Sequence, residues 1–210
     1  MMKEYKVLII NGSPHTHGST ARVLEEAVSI FKESGVACDL VSIGTDVIRG
    51  CIGCGSCRKI GKCAFDDKVN EAAKLFEEAD GIIVASPVYY ASPNGSLIAF
   101  LDRLFYSSTC DKRMKVGASI AVARRGGLTA TFDVLNKYFS ISEMAIATSS
   151  YWNQVHGACA EDIPEDAEGL RTVRTLARNM IFLMKAIALG KEKIGLPERE
   201  PKVRTSFVRR

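Results

Sequence analysis

Lys6 to Ile10, KVLII, is a continuous apolar run of strand length that stops at Asn-Gly-Ser-Pro. An unalternating run of this kind fits a strand covered on both faces, the condition of a strand inside a parallel sheet. The pattern then recurs along the chain. STARVLEEAVSIFKESG places Val23, Leu24, Ala27, Val28 and Phe31 on one helical face and stops at Gly35. Ala37 to Ile43 reads as a second strand, Lys68 to Ala79 as a helix and Gly81 to Ser86 as a third strand. Leu97, Phe100, Leu101, Leu104 and Phe105 mark another amphipathic helix, and Val116 to Ala123 a fourth strand. A helix from Thr129 to Phe139, a short strand from Met144 to Thr148 and a long helix from Asp166 to Leu189 complete the series. Five strands alternating with helices predict an α/β fold in three layers, a doubly wound parallel sheet, because parallel neighbours require crossover connections.

Composition bounds the rest. At 210 residues with 47% hydrophobic and 25% charged residues, the chain reads as one folded domain, 1–190, followed by a basic tail, 191–210. The apolar run near the N-terminus, Val7 to Ile10, is too short for a signal-peptide core or a membrane span, so a cytoplasmic protein without membrane contact is expected. The net charge of +4 sits in the tail, where seven Lys/Arg face three Glu from Lys191 onward. A single aromatic, Phe207, stands among those charges, so nucleic acid is not an expected partner.

In an open α/β sheet the ligand lies beyond the carboxyl ends of the strands, and three loops fall there. Gly12-Ser-Pro-His-Thr-His-Gly-Ser-Thr20 offers hydroxyls and the amides of a helix N-terminus, which suit a phosphate; Ser19 as a plain N-cap is the equal alternative. It lacks both the GK[ST] ending of a triphosphate loop and the G-x-G-x-x-G of a dinucleotide loop. Ser86-Pro-Val-Tyr-Tyr-Ala-Ser-Pro-Asn-Gly95 joins two tyrosines to stiffening prolines, as a rim for a planar ring or simply as a packed turn. Ala123-Arg-Arg-Gly-Gly127 combines two cations with glycines that admit close approach.

Residues 44–67 show no clear periodicity and hold four of the seven cysteines, CIGCGSCRKIGKC, at C-x2-C-x2-C-x5-C spacing. Three chemistries compete for Cys51, Cys54, Cys57 and Cys63. A compact run of thiolates can wrap an iron-sulfur cluster. Zinc usually takes two well separated pairs. Free or oxidisable thiols are the third option. Cys38, Cys110 and Cys159 are isolated and read as ordinary thiols.

GSPHTHGST, SPVYYASPNGSLIAFLDR and ARRGG, in this order and spacing, resemble the flavodoxin-like NAD(P)H-dependent FMN reductases. CIGCGSCRKIGKC adds a likeness to their iron-sulfur flavoprotein branch, and the closing RTSFVRR is similar to the family's end. The resemblance implies a flavodoxin-like five-stranded sheet of order 2-1-3-4-5 with FMN at the switch point. It assigns the FMN phosphate to Ser13, His15, Gly18, Ser19 and Thr20, and the ribityl chain and ring to Pro87, Val88, Tyr89, Tyr90, Asn94 and Gly95. Arg124, Arg125, Gly126 and Gly127 would line the other side of the ring, and the four clustered cysteines would hold one [4Fe-4S] cluster close to it. His15 and Ile98 depart from the arginine and lysine frequent at those places in the family.

The activity so implied is hydride transfer from NAD(P)H (NADH or NADPH) to FMN and on to a flavin or quinone acceptor. The alternative is an electron carrier with FMN and a cluster, fed by ferredoxin; a non-catalytic flavin-binding regulator is a third reading. No side chain is singled out as an acid or base. A homodimer or homotetramer is also implied, with Leu176, Met180, Leu183, Met184 and Ile187 of the last helix either at a subunit contact or packed on the sheet.

Overall fold

The computed structural model describes residues 4–203 and 205; residues 1–3, 204 and 206–210, with most of the RTSFVRR ending and part of the 191–210 tail, lie outside the described residues. In chain order the elements are β1 (Tyr5–Asn11), α1 (Ser19–Glu33), β2 (Val36–Ser42), α2 (Cys57–Ile60), α3 (Lys68–Glu78), β3 (Gly81–Tyr89) and β4 (Ser92–Pro93). They continue with α4 (Gly95–Ser107), β5 (Val116–Ala123), α5 (Leu128–Ser140), β6 (Ala145–Ile146), β7 (Gln154–His156), a 3-10 turn (Ala160–Glu165) and α6 (Ala167–Ile194).

The apolar run that opened the chain explains the layering. Val7, Leu8, Ile9 and Ile10 are all fully buried, and they divide by the two-residue period of a strand. Val7 and Ile9 join the layer of α1 and α6, with Val23, Phe31, Leu176 and Met180. Leu8 and Ile10 join the opposite layer of α3, α4 and α5, with Phe76, Phe100, Leu135 and Phe139. Each such side chain taken from water contributes roughly 1.5–3 kcal/mol before entropy is counted, so the sheet's two faces carry most of the driving force. The sheet runs β2-β1-β3-β5-β6 and its long neighbours are parallel, with Val7 opposite both Cys38 and Gly81 and Ile83 opposite Ala118. Counted over its parallel positions this is the order 2-1-3-4-5 of a flavodoxin-like fold.

Three expectations are corrected. The stretch 86–95 is not a plain loop: β3 runs on to Tyr89 and folds back through Tyr90 and Ala91 onto β4, pairing Val88 with Pro93. Both turn residues have positive φ, 51° and 55°, which matches the twist that two-residue hairpins prefer. The fifth strand, expected at 144–148, is broken. Ala145–Ile146 pairs with the start of β5, and Gln154–His156 with its end. Buried Asn153 bridges the gap, its Nδ2 donating to Ser119 O at 3.0 Å. Finally, α6 runs from Ala167 to Ile194, five residues beyond the end expected at Leu189. Its Leu176, Met180 and Met184 pack on the sheet, with Leu183 and Ile187 partly buried against the same core. Among the described residues no helix is long and apolar enough to cross a membrane.

Candidate functional site

The strand ends carry a cavity of about 860 Å³. Its floor is the loop after β1. Buried Asn11 organises that loop by accepting the Ser13 amide on Oδ1 at 3.0 Å, and Ser13 Oγ accepts the His15 amide at 3.0 Å. The Ser13 hydroxyl proton stays available. α1 then begins without a side-chain cap: its N-cap is Gly18, and its first turn contains no acidic residue. Ser19 is thus the first helical residue rather than the cap. The amides of this helix start have no side-chain acceptor, the arrangement that favours a phosphate.

Of the residues assigned to the cofactor, Ser13, His15, Gly18, Ser19, Thr20, Pro87, Val88, Tyr89 and Arg124 line this one cavity. Tyr90, Asn94, Gly95, Arg125, Gly126 and Gly127 are not among its lining. Tyr90 stands fully exposed at the hairpin tip, and Arg125 and Gly126 are exposed beyond the rim. Asn94 is buried behind the wall, where its Nδ2 donates to Gly12 O at 2.8 Å and its Oδ1 caps α4 by accepting the Ser96 amide. Gly127, with φ of 92°, lets its loop meet the hairpin, since a Cβ there would lie 2.9 Å from Ala91 Cα. These residues shape the wall from behind.

The sequence reading missed the fourth wall. Gly157, Ala158, Cys159, Ala160 and Glu161 line the cavity beyond the end of β7. The rule of strand ends would have found them had the outer strand been placed at 154–156. Asp162 accepts the Ala158 amide at 2.8 Å and holds this loop. A hydrogen bond to Glu161 keeps the Cys159 thiol above its ordinary pKa and Glu161 below its own.

The cysteine segment forms a second site with no lining residue in common with the first. Cys51, Cys54, Cys57 and Cys63 border a single hollow with Ile52, Phe65, Arg103, Tyr106 and Ser107. It rests on the far half of α4: Arg103 lies more than two helical turns, about 12 Å, beyond Gly95 at the cavity end. One half of the hollow is fixed. Asn70 accepts the Cys63 amide and donates to Cys63 O and Phe65 O. Arg103, only 1% exposed, donates to Asp67 at 2.6 and 2.8 Å, to Arg49 O and Phe65 O, and through Nε to Cys63 Sγ at 3.2 Å. Burial works against its charge, but the bonds to Asp67 and Cys63 hold its pKa above the ordinary value.

The other half turns on Gly53 and Gly55, both with positive φ and open space where a Cβ would stand. Cys51 and Cys54 are exposed, and hydrogen bonds from Ser56 hold the Cys54 thiol below its usual pKa. Among the described residues no three His, Cys, Asp or Glu converge as ligands of a metal ion. A cubane differs from a single ion in taking one thiolate at each iron, so its donors surround a body instead of meeting at a point. The hollow itself measures only about 20 Å³. The donor set suits that group: four thiols, apolar walls and a cation already donating to one sulfur. A further sign is Ser107 Oγ, buried at the hollow with no hydrogen-bond partner.

A doubly wound sheet of this order, with its cavity at the carboxyl ends of its strands, defines a flavodoxin-like protein. Residues 5–158 match the family described as NADPH-dependent FMN reductase, and the chain belongs to that family, as a flavoprotein. An iron-sulfur flavoprotein of Methanocaldococcus jannaschii is 33% identical over 190 residues, 87% of this chain and 98% of the relative. One of Methanosarcina thermophila is 30% identical over 193 residues, 90% and 100% of the two chains. A solved flavodoxin from the domain Archaea, 14% identical, superposes with a TM-score of 0.59 over 86% of this chain and 99% of its own, a likeness of fold.

Proposed function

We propose that the protein is an iron-sulfur flavoprotein, an oxidoreductase with FMN at the strand-end cavity and a [4Fe-4S] cluster on Cys51, Cys54, Cys57 and Cys63. The observation that carries this is the gathering of the four thiols at one hollow that also holds a buried cation and an unpartnered hydroxyl. Two relatives that match nearly end to end bear the same name. When bound, the cluster supplies single electrons and the flavin exchanges one- with two-electron chemistry. The chain's own residues hold and orient these groups. The uncapped start of α1 with Ser13, Ser19 and Thr20 would receive the phosphate, and Pro87, Val88, Tyr89 and Arg124, which line the same cavity, would hold the ring.

A second reading is an NAD(P)H-dependent reductase of flavin or quinone acceptors. The cavity favours it, because about 860 Å³ is near the upper end for a single ligand site. Homodimers or homotetramers are also proposed, supported by exposed Tyr151, Trp152 and Phe182; sedimentation would give the mass.

Anaerobic purification followed by absorption spectroscopy and iron and sulfide analysis tests these readings. Flavin together with iron and sulfide in the ratio of a [4Fe-4S] cluster is expected. Flavin bands without iron would remove the cluster, and a colourless protein that ignores added FMN would refute both readings. Bleaching by reduced ferredoxin but not by NADPH separates the carrier from the reductase.

A further inference from the structure

The cluster hollow has a floor that ligand spacing does not explain. Arg103 and Ser107 lie four residues apart on α4, one above the other on a single face. Both border the hollow, at 1% and 4% exposure. Arg103 Nε donates to Cys63 Sγ at 3.2 Å, whereas Ser107 Oγ donates to nothing.

We infer that Arg103 and Ser107 are positioning residues that raise the reduction potential of a cluster held by the four cysteines. The inference rests on the proposed function. Reduction adds one electron to the unit of cluster and thiolates, and its extra negative charge is favoured by nearby donors and by a cation that cannot lose its proton. Burial strengthens both effects, since little water competes at the floor. No proton moves in the step.

Fastening the loop is the rival account for Arg103, because the same guanidinium also binds Asp67 and two carbonyls. Ser107 separates the two. A buried hydroxyl without a partner is a cost to the protein alone, so its presence is explained by a group that accepts from it.

The test is a redox titration with dithionite of the anaerobically purified holoprotein, followed by electron paramagnetic resonance. Iron and sulfide are measured on every sample. Ser107→Ala is expected to lower the reduced-to-oxidised ratio at fixed poise about threefold, and Arg103→Gln about tenfold, which is 59 mV for one electron. Arg103→Lys, which keeps the cation, should recover part of the loss. The cluster-free Ser107→Ala protein should unfold at the wild-type temperature or above it.

If Arg103→Gln fails to load iron, Ser107→Ala decides alone. An unchanged potential in a fully loaded Ser107→Ala protein overturns the inference. So does a cluster-free Ser107→Ala protein less stable than wild type, because the hydroxyl would then have served the fold. A wild-type protein without iron instead overturns the proposed function, and the inference with it.

Discussion

The cavity and the cysteine hollow are built in opposite ways. The cavity is made from the ends of β1, β3, β5 and β7, and buried links such as Asn94 to Gly12 O fix each loop to its neighbour. The hollow is fastened on one side only, by Arg103 of α4 and Asn70 of α3, while its outer half carries two glycines with open space around them. A site formed at strand ends inherits the stability of the sheet. One fastened on a single side leaves its outer cysteines, Cys51 and Cys54, exposed.

The largest expected effect isolates one site from the other. Cys57→Ser should abolish bound iron and sulfide while flavin absorbance per chain stays at the wild-type level; loss of both together would show that the sites are not independent. Next in size, Asp67→Ala strips the carboxylate from buried Arg103 and uncaps α3, for about 3–5 kcal/mol. Asn94→Ala uncaps α4 and orphans Gly12 O, for about 2–3 kcal/mol. Urea unfolding of the cluster-free proteins measures both, and a reversed order would break the contrast.

FMN at a hundredfold its Kd should stabilise the wild-type protein by about 2.7 kcal/mol, and Cys57→Ser should keep that gain in thermal melts. The finest comparison uses two glycines of positive φ. Gly127→Ala drives a methyl toward Ala91 Cα and should cost about 3 kcal/mol, whereas Gly53→Ala meets open space and should cost about 1 kcal/mol. Equal costs would remove the distinction between a packed loop and a free hinge.

Legibility in the sequence follows the same division. KVLII, GIIVAS and VGASIAVA announced the central strands because both their faces are covered, leaving an apolar signal with no polar competitor. The outer strand was misplaced because its halves, AI and QVH, are too short for a period and are joined through Asn153 instead of by apolar residues. That error hid the 157–161 wall. Gly126 and Asn94 were read as ligand contacts because glycine and asparagine suit loop and ligand alike. The spacing of the cysteines was visible at once, but the residues beneath them were not. Arg103 and Ser107 interrupt an otherwise apolar helix face, and nothing local distinguishes such a pair from an exposed one.

The broken outer strand also makes the two edges of the sheet unequal. A free sheet edge is a template for strand addition, and the β6/β7 edge offers only two- and three-residue fragments separated by a polar excursion. β2, at the opposite edge, presents seven unbroken residues, with exposed Leu40 and with Asp39 near Lys6. Any aggregation by edge-to-edge pairing should therefore begin at β2, and removing the charge of Asp39 would take away one guard against it.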